Sequence, residues 1–260
     1  MKQLKKFITN RIVLTVLGIV FVFLIWEMIS LTSKNPTMIF PTPKMTIEEA
    51  LFLLGKEYTY RCIWGTLKRT LIGFSFALLG GILLGFLVGN FIKTKYFFNP
   101  LLTVVKTIPT AALVLLFLVM IGSKNTPMFI VFIISFPIIY ESCLGGFSNI
   151  DKDLLMALKV DGATFFKGNI MVKFPLAFPY LAVGIASSFA LSFKIAIMAE
   201  VISGTTSPGL GSIIKASQNN DPTNMVPIFG YSFIAIVLAL LTSLIFYLVK
   251  SASKIDFKNN

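Results

Sequence analysis

The chain has 260 residues, 56% of them hydrophobic and only 13% charged, with 26 Phe and a positive mean hydropathy. Soluble domains carry about a quarter charged residues, so this composition excludes an ordinary water-soluble fold and implies a single membrane-embedded, all-α domain. The formal charge of +12 is spread over the ends of apolar runs instead of gathering in one basic segment, which argues for topology and against nucleic acid as a partner. The chain has no His, which removes Ser/His/Asp and Cys/His catalysis and the usual neutral metal ligand. Cys62 and Cys143 have no metal-ligand spacing. No catalytic, metal or cofactor-binding residue is assigned, and no cofactor is expected.

A crossing of the ~30 Å hydrocarbon layer takes roughly 20 apolar residues, and six such runs are present, at 12–31, 66–91, 100–121, 127–146, 176–200 and 227–249. The first follows a basic start and lacks a small-residue cleavage site, so it reads as an anchor, not a removed signal. Residues 32–65 leave it through Pro36, Pro41 and Pro43, and Ile47, Leu51 and Leu54 then show helical spacing, which predicts a short amphipathic helix on the outer surface. In the second run Gly73, Gly81, Gly85 and Gly89 recur at multiples of four, a small-residue stripe on which another helix can pack backbone to backbone. Pro109 and Pro137 fall inside the third and fourth runs and predict bends of the kind that border a pathway. The connection from Ser203 to Pro227, with SGTTSPGLG and SQNNDP, is rich in turn formers and predicts an outer loop.

Basic residues decide the orientation. One side carries thirteen: Lys2, Lys5, Lys6, Arg11, Lys93, Lys95, Lys152, Lys159, Lys167, Lys173, Lys250, Lys254 and Lys258. The other carries eight: Lys34, Lys44, Lys56, Arg61, Lys68, Arg69, Lys124 and Lys215. Both termini are therefore expected in the cytoplasm. Glu27, Lys106, Glu141, Lys194 and Glu200 remain within or at the edges of spans, where an unpaired charge costs from about 3 kcal/mol upward. Lys194 and Glu200, six apart, do not face each other on one helix and need other partners. Lys106 and Lys194 either help an anionic solute through or satisfy carboxylates and helix ends.

The stretch DKDLLMALKVDGATFFKGNIMVKFPLAFP, residues 151–179, lies between two spans on the basic side. Leu154, Leu155 and Leu158 mark one helical face, Gly162 permits a reversal, and Phe165, Phe166 and Ile170 mark a second face before Pro175 opens the next span. Two short amphipathic helices meeting at a glycine are predicted, fit to lie on lipid or to enter a groove on a partner.

This loop resembles the conserved loop of importer permeases of the ATP-binding-cassette (ABC) superfamily, whose pattern is EAA, three residues, Gly, nine residues, Ile, one residue, Leu and Pro. Ala157, Gly162, Val172, Phe174 and Pro175 keep that register, while Met156 and Leu158 replace the usual Glu and second Ala. RTLIGFSFALLGGILLGFLVG, TIPTAALVLLFLVMIG, FKIAIMAEVISG and SPGLGSIIKAS are similar to successive motifs of the nitrate, sulfonate and taurine permeases, so the resemblance covers about residues 64–250. It implies a type I importer permease fold with six transmembrane helices, arranged as an anchor and outer segment (1–65), a permease core (66–250) with a coupling loop (151–175), and a cytoplasmic tail (251–260). It also implies a multi-pass protein of the bacterial inner membrane, working with a second copy of itself, separate ATP-binding-cassette ATPase subunits and an extracytoplasmic solute-binding protein. Ala157, Leu158, Gly162, Ala163, Phe165, Phe166 and Pro175 would contact the ATPase. Lys106, Pro109, Pro137, Lys194 and Glu200 would border the pathway. The chain shows neither GxxxxGK[ST] nor an acidic strand for Mg²⁺, so hydrolysis belongs to another chain. The implied solute is a small polar or anionic one, of the sulfonate, nitrate or vitamin-precursor class. An ion-coupled secondary transporter would show an internal repeat and intramembrane acidic clusters, neither of which is present; a non-transporting membrane scaffold would use the same loop as an ordinary partner site.

Overall fold

The computed structural model describes residues 11–164 and 166–256. Its helices in chain order are α1 (Arg11–Thr32), α2 (Pro43–Leu54), α3 (Glu57–Asn90), α4 (Ile92–Thr107), α5 (Thr110–Ile121), α6 (Thr126–Ser148), α7 (Lys152–Val160), a π-helical segment (Lys167–Lys173) continuing into α8 (Phe174–Ser203), α9 (Leu210–Asn220) and α10 (Val226–Asp256). Among the described residues five helices, α1, α3, α6, α8 with its π segment, and α10, are long and apolar enough to cross a membrane. A sixth crossing exists only as α4 and α5 together, bent by 97°. The third apolar run is thus broken where a bend was predicted. Pro109 has no N–H to give, and it forces the preceding Ile108 into an extended conformation (φ −69°, ψ 129°), so α4 ends there and α5 starts afresh. Pro137, by contrast, is carried within a continuous α6.

The chain packs as two compact units, one of residues up to Tyr60 with Ile213–Ala235, the other of Arg61–Ser212 with the residues from Ile236 onward. In the first, the α1–α2 connection is pinned by its own carbonyls. Trp26 Nε1 donates to Pro41 O at 3.0 Å and Ser30 Oγ to Phe40 O at 2.8 Å, and the Phe40 ring meets Phe229 edge-on at 5.3 Å. Thr42 caps α2 by accepting from Met45 N, with Pro43 at the first helical position. The predicted amphipathic helix is present, but its buried face is Pro43, Thr46, Ala50 and Leu53, while Ile47 and Leu51 are exposed. Both faces have helical spacing, and Ile47 and Leu51 share the outward one with the exposed Lys44–Glu48 ion pair.

The second unit is built on α3, α6 and α8. The glycine stripe packs on α6: Gly73 lies against Met128 and Val131, Gly81 against Ile139, Gly85 against Cys143 and Gly89 against Phe147. A Cβ at Gly85 would come within 2.6 Å of Cys143 Cβ, so the two backbones approach as closely as they do only because these positions are bare. On its other side α6 meets α8 through Gly146 against Ala177, Gly184 against Ser142, and a buried hydroxyl pair, Ser135 and Ser192, at 2.7 Å. Phe74 and Phe189 stack edge-on at 4.9 Å across the same core, which includes Val114, Ile130, Leu181 and Ala196. Both cysteines are buried and unbridged.

Candidate functional site

Three places collect the residues singled out from the sequence, all within the second unit. The first is the α6–α8 connection. Asp151 starts α7, its carboxylate accepting from Asp153 N at 2.9 Å and its carbonyl from Leu155 N. At the other end Ala163 N donates to Leu158 O at 3.0 Å around Gly162, whose φ of +64° is the left-handed value that this glycine-terminated helix end requires. Gly162 therefore makes the predicted reversal. The second short helix does not form separately. Residues 167–173 are wound as a π helix that runs directly into α8, with Phe174 N donating five residues back to Asn169 O. Pro175 stands in the first turn of α8, as expected, with the π segment running into that turn without a break. Met156, Ala157, Val160, Phe166, Ile170 and Met171 are exposed, Val160 at 85%, and Leu158 and Ala163 are half-buried, so the connection presents an apolar surface with nothing from the described chain upon it. Phe165 lies outside the described residues.

The second place surrounds Glu200, fully buried at the far end of α8. Its Oε1 accepts from Arg69 Nε at 2.9 Å and Nη2 at 2.5 Å; its Oε2 accepts from Thr66 Oγ1 at 2.9 Å and Gly211 N at 2.8 Å. Arg69 Nη2 also donates to Pro208 O, and Thr66 Oγ1 accepts from Leu210 N, both at 2.8 Å. Arg69 and Glu200 are thus the partners left open by the Lys194–Glu200 spacing. Gly65, Gly209 and Gly211 make the approach feasible, since a Cβ at each would collide with Pro208 O, the Arg69–Glu200 pair and Ile197 O respectively. The connection expected as a plain loop contains α9, started at Leu210 by this network. Leu210, Ile213 and Ile214 were the readable sign of it, masked by the polar SQNN that follows. Glu200 is closed off from any solute in this conformation.

The third place is the α4–α6 face. Lys106 Nζ donates to Glu141 Oε1 at 2.6 Å, both side chains being half-exposed (47% and 50%), so Lys106 serves a carboxylate here. Lys194 is exposed on α8 and has no hydrogen-bond or ion-pair partner among the described residues. Pro109 marks the α4–α5 break, and Pro137 is buried in α6. No group of His, Cys, Asp and Glu able to hold a metal occurs among the described residues.

Comparison with known proteins places this geometry. A family model described as binding-protein-dependent transport system inner membrane component matches residues 78–254. A probable ABC transporter permease of Brucella melitensis is 26% identical over 194 residues, 74% of this chain and 77% of that protein. The nitrate import permease NrtB of Leptolyngbya laminosa is 27% identical over 188 residues, 70% and 65% of the two chains. The taurine transport system permease TauC of Escherichia coli is 20% identical over 240 residues, 90% and 86%. Among solved structures, the MetNI methionine ABC transporter in an inward-facing conformation superposes with a TM-score of 0.65 at 18% identity, over 79% of this chain and 98% of that one. An amino acid ABC transporter solved with histidines gives the same TM-score and identity, over 78% and 97%. These likenesses give the fold, that of a type I ABC importer permease, and the sequence matches give the family: the chain belongs to the binding-protein-dependent transport system inner membrane components and is a multi-pass inner-membrane permease subunit of an ABC importer.

Proposed function

We propose that two copies of this chain form the solute pathway and that a separate ATPase drives them through the α6–α8 connection, with both termini in the cytoplasm and a binding protein delivering solute outside. The observation that carries this is α7. It is a capped helix with an exposed apolar surface, closed by a left-handed glycine and set between two spans on the more basic side. A lipid-facing role would not call for so defined a reversal at Gly162, whereas a groove on a partner does. Ala157, Leu158, Gly162, Ala163, Phe165 and Phe166 are the docking residues of this reading. Pro175 lies where α7's movement would pass into α8, which the unbroken π-to-α run from Lys167 to Ser203 would transmit as a lever.

The experiment is mass spectrometry of whatever copurifies with the full chain, tagged at its C-terminus and extracted from native membranes in mild detergent. An ATPase recovered in equal amount is the expected result; an intact, monodisperse chain recovered alone would count against it.

The solute is a small polar or anionic one, of the class named by the nitrate and taurine relatives. Lys194 is the pathway residue of this reading, with Lys106, Pro109, Pro137 and Glu200 shaping the spans about it, because an exposed lysine deep in an apolar helix must face water, protein or a solute. Lys194→Met is expected to lower uptake of the delivered solute about tenfold while leaving the amount of inserted permease unchanged. Uptake and solute choice both equal to wild type would remove Lys194 from the pathway.

A further inference from the structure

The π segment at the root of α8 is out of step with its own sequence pattern. On α8 the buried residues Ala177, Leu181, Gly184 and Ser188 follow one another at α spacing, and the partly buried Phe174 packs on the same core. Continued backward at that spacing, the stripe falls on Ile170 and then on Phe166, both apolar. The structure buries Gly168 and Asn169 there instead, and leaves Ile170 42% and Phe166 59% exposed. Asn169 is 5% exposed, and its Oδ1 has no hydrogen-bond partner among the described residues. One extra residue makes the difference. Within Lys167–Lys173 the backbone is π-wound, and Phe174 N reaches back to Asn169 O where an α turn would reach Ile170 O.

Opposite preferences meet in this segment. Pro175 has no N–H, and its ring crowds the carbonyl of Met171 four residues back, which favours the wider turn. The orphaned amide of Asn169 and the exposed Ile170 and Phe166 favour the α winding, which would put apolar side chains on the buried face. The place that Asn169 would then occupy, now held by Gly168, has room for a side chain: a Cβ there meets nothing nearer than Ala163 Cβ at 3.9 Å. We propose that residues 167–173 are a register switch between the π winding seen here and an α winding in which Ile170 takes the place of Asn169. With α8 held, giving up the extra residue moves every residue before it one place back, a turn of about 100° and a shift of about 1.5 Å. Phe166 and the attachment of α7 are carried along. This rests on the reading of α7 as the docking element and supplies its regulation. An ATPase that holds Phe166 outward favours the π winding, and release of that face lets the segment relax and turns the connection against α8.

The first test labels Ile170→Cys and Met171→Cys with N-ethylmaleimide in the full chain in nanodiscs, both native cysteines being buried. Both variants are expected to react, since both positions are exposed. Adding Pro175→Ala, which removes the wedge, is expected to slow labelling of Ile170→Cys several-fold and to leave that of Met171→Cys unchanged, because Met171 is exposed in either register. The second test uses the assembled importer. Deleting Asn169 leaves an α-length segment that holds α7 in its present direction, so ATP hydrolysis stimulated by the binding protein is expected to be lost while the ATPase still copurifies. Asn169→Ala, which keeps the residue count, is expected to retain stimulation. Unchanged labelling of Ile170→Cys in the Pro175→Ala background overturns the proposal, as does slowing of both positions together. Wild-type stimulation in the deletion variant also overturns it, and loss of stimulation in Asn169→Ala would place the role in the side chain and not in the register. The labelling needs no ATPase, so it decides the switch even if the deletion variant does not insert or the docking reading fails.

Discussion

Replacing Arg69 by Met is expected to destabilise the permease more than any exposed substitution, by about 3–5 kcal/mol, and to lower its thermal midpoint in detergent by roughly 10 °C. The reason is what remains: Glu200 is fully buried with two of its four donors on Arg69, so the variant keeps a carboxylate whose charge has no counterion. The lost guanidinium also leaves Pro208 O without its donor, loosening the turn that starts α9. The double variant Arg69→Met, Glu200→Gln separates charge from packing. Gln still offers an oxygen to Thr66 Oγ1 and Gly211 N but carries no charge, so the double variant should be more stable than Arg69→Met alone. If the double variant is instead as unstable as the single one or worse, the stability of this corner lies in side-chain packing and not in the ion pair. Uptake should follow stability in this series, because the network ties α3, α8 and the start of α9 together.

That network also shows where sequence reading stops. Arg69 and Glu200 are 131 residues apart, and nothing local in either segment marks the other as its partner. Arg69 reads as one of eight basic residues near a membrane surface, yet α3 begins at Glu57 and carries it well inside a helix. What could be read were features with a local cause: the apolar runs, the glycine stripe whose period of four makes a face, the proline that ends α4, and the glycine that ends α7. On α2 the spacing of Ile47, Leu51 and Leu54 pointed to a helix but not to its buried face, because the buried Thr46, Ala50 and Leu53 repeat with the same period. The π segment escaped because its extra residue per turn leaves the apolar pattern of Phe166 and Ile170 intact while it changes which backbone groups pair. Lys106 and Glu141 were each visible as a charge inside a span, and their pairing needed only the antiparallel course of α4 and α6.

At Gly162 the expected order of uptake is wild type, then Asn, then Ala, with Val falling below about a tenth of wild type. A Cβ at this position would meet no atom within 4 Å, so no clash contributes and the series measures backbone conformation alone. At φ +64° an L side chain costs about 1–2 kcal/mol, Asn tolerates the region better than Ala, and a β-branched residue is the least compatible. Val therefore pushes the reversal open, breaks the Ala163 N to Leu158 O bond and turns the surface of α7 away from its present direction relative to α8. Neither α6 nor α8 contains the substituted residue, so membrane insertion and the amount of purified chain should be unchanged. The informative pair of readouts is solute uptake and ATP hydrolysis stimulated by the binding protein, measured on the assembled importer in vesicles. Both should fall together for Val if α7 is the element through which hydrolysis moves the spans. Loss of uptake with stimulated hydrolysis intact would place the defect in the pathway instead, and normal uptake by the Val variant would mean that this reversal does not transmit the stroke.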